Sequence, residues 1–214
     1  MTTTLYLIRH GESEANRSNT FLGHHDLGLT DKGLEQAEMT AAYLFQQVSP
    51  DVIYSSDLSR AYQTAKPTAH RFELSIQKDE ALREIMAGAW ENVPFDEIAE
   101  RYRESYHIWK TDIGNAHPDG GESVVQLQQR IVTAVTRIAR ENEGKTILVF
   151  THATPIRVLA AHCKKLTAGE IKNSPWVSNA SVTKVCFNGA ELFLEEYGRD
   201  DFMGNMSTRL SAKI

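Results

Sequence analysis

Hydrophobic positions along this chain follow two rhythms: short unbroken apolar runs, and longer stretches with apolar residues three or four apart. Thr4-Leu5-Tyr6-Leu7-Ile8 is short, apolar and flanked by polar residues, which predicts a buried strand. Residues 30–47 predict an amphipathic helix, with Thr30 as N-cap and Leu34, Ala37, Ala41, Leu44 and Phe45 on one face. A second strand is expected over 51–55 and a helix over 58–71, where Pro67 should kink or interrupt the backbone. Alternation predicts a third strand over 74–77.

Residues 84–121 are less regular and rich in turn formers, with a helix expected over 94–109; they read as an insertion covering the strand ends. Ser123 and Gln126 form a capping box that opens a long helix to about 142, striped by Val124, Leu127, Ile131, Val135 and Ile138. Thr146-Ile147-Leu148-Val149-Phe150 has the nearly all-apolar character of a central parallel strand. Thr154-Pro155 starts another helix, with proline in its first turn. Two strands over 181–187 and 191–197 flank Asn188-Gly189, a strong hairpin signal. The polar tail from Gly198 is expected to be loose. Strands alternating with helices predict an α/β fold, a three-layer α/β/α sandwich whose mostly parallel sheet ends in an antiparallel edge strand. One domain over 1–214 is expected, carrying the insertion at about 84–121.

Composition narrows the class. With 214 residues, 41% of them hydrophobic, the core is large enough to need no disulfide or metal staple. The net charge of −5 offers no basic face for nucleic acid. It leaves room for an anionic substrate, because one pocket can be basic on an acidic protein. Cys163 and Cys186 lie in apolar surroundings without paired spacing, as small buried hydrophobes do in a reducing cytosol. The N-terminus lacks the pattern of a signal peptide, and no apolar run approaches membrane-spanning length. A cytoplasmic location, with no membrane partner, is expected. Whether the chain forms a homodimer stays open.

The first apolar run ends in Arg9-His10-Gly11. Ligand sites in open α/β sheets lie just beyond the carboxyl ends of strands. Within a regular strand Arg9 and His10 would point to opposite faces; they converge only if the strand has ended, and Gly11 permits that bend. An imidazole beside a guanidinium suits phosphoryl chemistry, with Arg holding the dianion and neutral His attacking phosphorus. The central strand repeats this logic in Thr151-His152-Ala153-Thr154-Pro155, where a helix N-terminus adds anion-attracting N–H groups. Arg60, in Ser55-Ser56-Asp57-Leu58-Ser59-Arg60-Ala61, is expected in the first turn of its helix at the same edge of the sheet. A cation there opposes the helix dipole, which suggests a local anion.

Several segments share one order with a known family: Leu7-Ile8-Arg9-His10-Gly11-Glu12-Ser13, Asn16, Leu29-Thr30-Asp31-Lys32-Gly33 with Gln36-Ala37, and Ser55 to Ala61 with Gln63-Thr64-Ala65. Leu82-Arg83-Glu84, Gly88, Trp90-Glu91, Gly121-Glu122-Ser123 and His152 with Ile156-Arg157 continue the series. In this order the chain resembles the histidine phosphatase superfamily, of phosphoglycerate mutase-like fold, over nearly its whole length.

The resemblance implies that His10 is the nucleophile, that Arg9, Arg60 and His152 complete the phosphate pocket, that Asn16 assists, and that Glu84 donates the proton. Gly23, His24 and the Ala153 backbone are further expected substrate contacts. No metal site is expected: His24 and His25 match no ligand spacing, and neighbouring arginines repel a dication. Ala153 stands where the family usually has Gly, Asn92 replaces a second Gly and can adopt left-handed angles. Gly28 replaces a common Pro, which predicts a more mobile loop from Phe21 to Leu29. Glu12 is expected to orient a neighbour and not to act as the acid. Phe21, Leu22, Trp90, Phe95, Tyr102, Tyr106 and Trp109 are candidates for a partly apolar mouth.

The expected function is a metal-independent phosphomonoesterase acting on a small phosphorylated metabolite through phosphohistidine, with no cofactor. A 2,3-bisphosphoglycerate-dependent phosphoglycerate mutase is the alternative; the short segment between Glu84 and His152 argues against it. A catalytically silent phosphate-binding module ranks lower, because His10, His152 and both arginines are present.

Overall fold

The computed structural model describes residues 1–208. Along the chain lie β1 (Thr3–Arg9), α1 (Glu14–Ser18), β2 (Thr20–Phe21), α2 (Asp31–Gln47), β3 (Val52–Ser55), α3 (Ser59–Phe72) and β4 (Ile76–Lys78). These are followed by β5 (Val93–Pro94), α4 (Phe95–Arg101), α5 (Arg103–Thr111), α6 (Val124–Glu141), β6 (Thr146–Thr151), α7 (Ala153–Cys163), β7 (Val182–Phe187) and β8 (Leu192–Arg199).

Six strands form one sheet in the order β4-β3-β6-β1-β7-β8. The first four are parallel; β7 runs against β1, and β8 pairs back antiparallel to β7. Alternate residues of the central strands feed opposite layers, as strand geometry dictates. Leu5, Leu7, Ile147 and Val149 join the buried stripe of α6, Val124, Leu127, Ile131, Val135 and Ile138. Ile8, Ile53, Leu148 and Phe150 meet Leu44 of α2 and Ala65 and Ala69 of α3. The predicted α/β/α sandwich is therefore the observed architecture. In the β1–β6 register Arg9 lies opposite Thr151, so His10 and His152 leave adjacent strand ends together.

Four expectations are corrected. Helix α3 runs through Pro67 without interruption. Only one backbone hydrogen bond is lost there, and the buried face from Arg60 to Ala69 holds the helix on the sheet. The helix expected over 94–109 is two helices broken at Tyr102 (φ −123°, ψ 49°). Phe95 and Trp109 both touch the Phe21 ring, at 5.6 and 5.1 Å, whereas fourteen residues of straight helix would separate them by about 21 Å. On α2, Leu34 and Phe45 are exposed while Gln36 and Thr40 are buried. Gln36 earns its burial through hydrogen bonds to the Glu12 N–H and to Met206 and Thr208. The tail from Gly198 begins ordered, within β8 and a 3₁₀ turn over Asp201–Met206; its remainder, from 209, lies outside the described residues.

Segment 84–121 shares the buried cluster of the sheet through Phe95, Ile98, Trp109 and Ile113. Among the described residues no helix is long and apolar enough to cross a membrane.

Candidate active site

His10 and His152 face each other at the ends of β1 and β6, with ring centroids 5.2 Å apart and planes inclined by 60°. His10 Nδ1 lies 2.7 Å from the Gly11 carbonyl oxygen. A carbonyl only accepts, so Nδ1 carries the proton and donates, and Nε2 keeps its lone pair. Burial, reinforced by the charges of Arg60 and Arg9, holds His10 well below the ordinary 6.5 and so keeps it neutral. Gly11 N–H donates to Thr64 Oγ1, which fixes the bend after β1. His152 is the N-cap of α7, fully buried, with Nε2 3.0 Å from Ser56 Oγ. Its Nδ1 has no partner among the described residues, and burial with Arg60 nearby likewise keeps it neutral.

Two buried guanidiniums flank the imidazoles. Arg9 donates to the Val177 carbonyl at 2.6 Å, and its buried Nε–H has no partner among the described residues. Arg60 donates to the carbonyls of Gly23 (2.7 Å) and His25 (3.1 Å). Burial lowers both to about 10, against the opposing pull of Glu84, so both remain cations at neutral pH. Among the described residues none of these four side chains has an acid partner at contact distance, so the pocket concentrates positive charge in a protein of net charge −5.

Glu84 enters from the segment after β4. Its carboxylate accepts from the Ile85 N–H (2.8 Å) and from the Thr154 N–H in the first turn of α7 (3.3 Å). Several hydrogen bonds reach the loop that precedes Leu29. Glu91 accepts from the N–H groups of His24 (2.8 Å) and His25 (2.6 Å), Asp26 accepts from Ser59, and Gln63 accepts from the Leu29 N–H. Gly23 there has φ +54°, and an added Cβ would lie 2.2 Å from Glu91 Oε1. Asn92 does adopt a left-handed φ of +58°.

One open pocket brings together Arg9, His10, Asn16, Gly23, Arg60, Glu84 and Ala153 from the expected set. His152 abuts His10 without reaching the pocket wall. His24 turns away: its Nε2 donates to the Glu84 carbonyl (2.9 Å), and its side lines a neighbouring crevice. Asn16 Oδ1 accepts from Ser13 and from Asn179, whose Nδ2 also donates to the His10 carbonyl. Of the candidate mouth residues, Phe21, Leu22, Phe95 and Trp109 line the pocket, whereas Trp90, Tyr102 and Tyr106 pack behind it. Glu12 braces the start of α2 through Thr30 and Lys32.

Sequence reasoning missed Ser56, Glu91, Asn179 and Trp176. Ser56 and Glu91 stand inside motifs that were readable, Ser55-Ser56-Asp57 and Trp90-Glu91, without a local cue to their roles. Asn179 and Trp176 reach the pocket from the connection before β7 and carry no such cue. Among the described residues no three His, Cys, Asp or Glu side chains cluster as a metal site.

Comparison with known proteins agrees with this geometry. The family model of the histidine phosphatase superfamily (branch 1) matches residues 5–200. Phosphoserine phosphatase 1 of Hydrogenobacter thermophilus is 32% identical over 155 residues, 72% of this chain and 73% of that protein. A 2,3-bisphosphoglycerate-dependent phosphoglycerate mutase of Parvibaculum lavamentivorans is 32% identical over 178 residues, 80% of this chain and 84% of its own. The solved structure of Bacillus stearothermophilus YhfR superposes with a TM-score of 0.89 at 31% identity, covering 94% of this chain and 99% of that one. The chain spans 43% of the length of mycobacterial relatives that it matches at 37% identity over 73% of its own residues. A matched model across 5–200, on a fold that brings the motif residues to one pocket, means that this chain belongs to the histidine phosphatase superfamily, branch 1.

Proposed function

We propose that this chain is a metal-independent phosphomonoesterase that hydrolyses a small phosphorylated metabolite through a phosphohistidine on His10. The observation that carries this reading is the Nδ1–H of His10 bound to the Gly11 carbonyl, which leaves Nε2 as a neutral nucleophile between two buried guanidiniums.

In the first step the Nε2 lone pair attacks phosphorus and the P–O bond to the alcohol breaks. Negative charge spread over the equatorial oxygens meets Arg9, Arg60 and His152, positive charge or donors already fixed by the fold. The departing alkoxide takes a proton from the carboxyl of Glu84. In the second step the resulting Glu84 carboxylate takes a proton from water as its oxygen attacks the phosphohistidine, releasing phosphate and restoring His10. The protein side chains supply the positive charge that a metal supplies elsewhere. The free thiols of Cys163 and Cys186 suit a reducing compartment such as the cytoplasm.

The mutase relative favours a second reading, in which phosphohistidine returns its group to a phosphoglycerate instead of to water. One experiment separates the two: a screen of phosphorylated metabolites with and without 2,3-bisphosphoglycerate, combined with rapid quench on labelled substrate. The phosphatase releases phosphate without the bisphosphate and yields an acid-labile, base-stable adduct that His10→Ala abolishes. Turnover only with 2,3-bisphosphoglycerate identifies the mutase, and near-normal turnover in His10→Ala overturns both.

A further inference from the structure

Ser56 follows directly on β3, and its backbone N–H donates to the Phe150 carbonyl of β6 at 2.9 Å. That bond extends the β3–β6 ladder by one step, so Ser56 stands beside the end of β6, where His152 caps α7. Ser55 Oγ donates to the Ser56 carbonyl at 2.7 Å and steadies the turn. Ser56 and His152 are both fully shut off from solvent. Their side chains meet at 3.0 Å, Oγ to Nε2.

The hydrogen in that contact can belong to either atom, and the surroundings decide. A neutral imidazole carries one ring hydrogen; a hydroxyl carries one and can accept two. Ser56 Oγ also receives the Leu58 N–H, at 3.4 Å. If the hydroxyl donates to Nε2, its own hydrogen and the Leu58 N–H are both used, and the ring hydrogen stays on Nδ1. If Nε2–H donates to Oγ instead, the Ser56 hydroxyl hydrogen has no acceptor among the described residues, and Nδ1 becomes a buried lone pair without a donor there. The first arrangement leaves one buried group unmatched and the second leaves two, and each such group is costly in a dry interior.

The two arrangements also differ in what they offer a ligand. Nδ1–H beside the His10 ring, whose centre is 5.2 Å away, gives an oxyanion a donor, whereas a bare lone pair repels it. Burial, with Arg60 acting second, keeps His152 neutral, so the tautomer decides whether that atom can donate at all.

We propose that Ser56 is a positioning residue: its hydroxyl holds the ring hydrogen of His152 on Nδ1 and so makes that nitrogen a donor to the substrate phosphoryl group. The part played by phosphate rests on the phosphomonoesterase reading above; the tautomer rests on the Ser56 contact.

The test reads the ring nitrogens directly. With ¹⁵N in the histidine rings, a two-bond ¹H–¹⁵N correlation spectrum separates the nitrogen that bears hydrogen from the one that keeps a lone pair. His152→Gln identifies the His152 signals by their loss. At pH 7.5 His152 should carry its hydrogen on Nδ1. Ser56→Ala should move it wholly or partly to Nε2, while His10, held by the Gly11 carbonyl, keeps Nδ1–H. The Kd of inorganic phosphate, read by calorimetry, should rise by about tenfold in Ser56→Ala, as one hydrogen bond to an anion is lost. A ring hydrogen on Nε2 of His152 in the unsubstituted protein, a reading that needs no variant to fold, overturns the proposal. So does an unchanged His152 tautomer in Ser56→Ala, and ester hydrolysis through His10 then leaves the phosphatase reading standing. A shifted tautomer with unchanged phosphate affinity overturns Nδ1 as the donor. If tautomer and phosphate affinity both follow Ser56 but the unsubstituted protein hydrolyses no ester, the phosphatase reading falls and the role of Ser56 holds.

Discussion

Arg130 of α6 donates through Nη2 to the backbone carbonyl of Glu84, 3.0 Å away. Its Nη1 holds the carbonyls of Ala81 (2.9 Å) and Arg83 (3.0 Å), and Glu122 fixes the guanidinium at Nε and Nη2. One side chain thus ties the helix behind the sheet to the three residues that set the direction of the Glu84 carboxyl. Glu122 belongs to Gly121-Glu122-Ser123, whose serine caps the same helix. The capping segment and Glu84 are thus joined through Arg130.

Arg130→Met should therefore slow hydrolysis of an alkyl phosphate by about tenfold in kcat while leaving KM within a few-fold, as expected for a group that orients the general acid. Three carbonyls lose a charged donor, so urea unfolding should show a loss of roughly 1–3 kcal/mol, partial exposure of the site letting water replace some of it. Arg130→Lys should recover little activity, because one ammonium cannot span three carbonyls and a carboxylate. Full activity in Arg130→Met would mean that Glu84 is held by Ile85 and Thr154 alone.

Glu91 should act on the opposite wall. It accepts from the N–H groups of His24, His25 and Ala87, and the loop it fixes presents the two carbonyls that hold Arg60. Glu91→Ala should raise KM for phosphate esters and the inhibition constant of inorganic phosphate together, each by about tenfold, or 1.4 kcal/mol. Steady-state kinetics with phosphate as competitive inhibitor checks this. An unchanged inhibition constant would separate the loop from phosphate recognition.

These two relationships also mark what the sequence could and could not reveal. The strand ends were legible because burial forces β1 and β6 into unbroken apolar runs, and a polar residue directly after such a run has few places to go. Arg9, His10 and His152 follow from that logic. The long helices were legible from their stripes. Leu34 and Phe45 misled on α2 because periodicity marks a face without saying that Gln36 and Thr40 can be buried there once hydrogen bonded. Trp176 and Asn179 were silent because their connection meets the pocket only through tertiary packing. The break at Tyr102 answers to Phe21, far away in sequence, and no local propensity encodes that contact.

Folding stability should fall as the solution is acidified below pH 6.5. His10 and His152 are buried and held well below their ordinary value, mainly by desolvation and then by Arg60. The unfolded chain takes up protons on both near pH 6.5, whereas the folded one resists. Stability from keeping them neutral is thus fully present above that pH and is lost as pH falls toward the folded values. Each contributes a slope approaching about 1.4 kcal/mol per pH unit within that window. Urea unfolding between pH 7.5 and 5.0 measures it, and His10→Gln should reduce the slope by about one proton. A flat profile in the unsubstituted protein would show that the imidazoles are not buried as neutral groups.

The sharpest expectation concerns Glu84. An alkoxide is a poor leaving group and needs a proton in the transition state, whereas nitrophenolate hardly does. Glu84→Gln keeps an oxygen that can accept from the Ile85 or Thr154 N–H but has no proton of carboxyl acidity to give. Hydrolysis of an alkyl phosphate should slow by roughly 10²–10⁴-fold, the usual contribution of a general acid, and first-step cleavage of p-nitrophenyl phosphate should change far less. Because the same carboxylate is expected to activate water, phosphohistidine should persist in this variant. A burst of nitrophenolate equal to the enzyme concentration should then precede slow turnover, while the unsubstituted protein shows no burst under the same conditions. Stopped-flow absorbance with p-nitrophenyl phosphate and phosphate release from an alkyl ester supply both readings. Equal losses on the two substrates without a burst would make Glu84 a positioning residue. The proton would then come from another group, and Glu12, held by Thr30 and Lys32 away from the pocket wall, is the first to substitute.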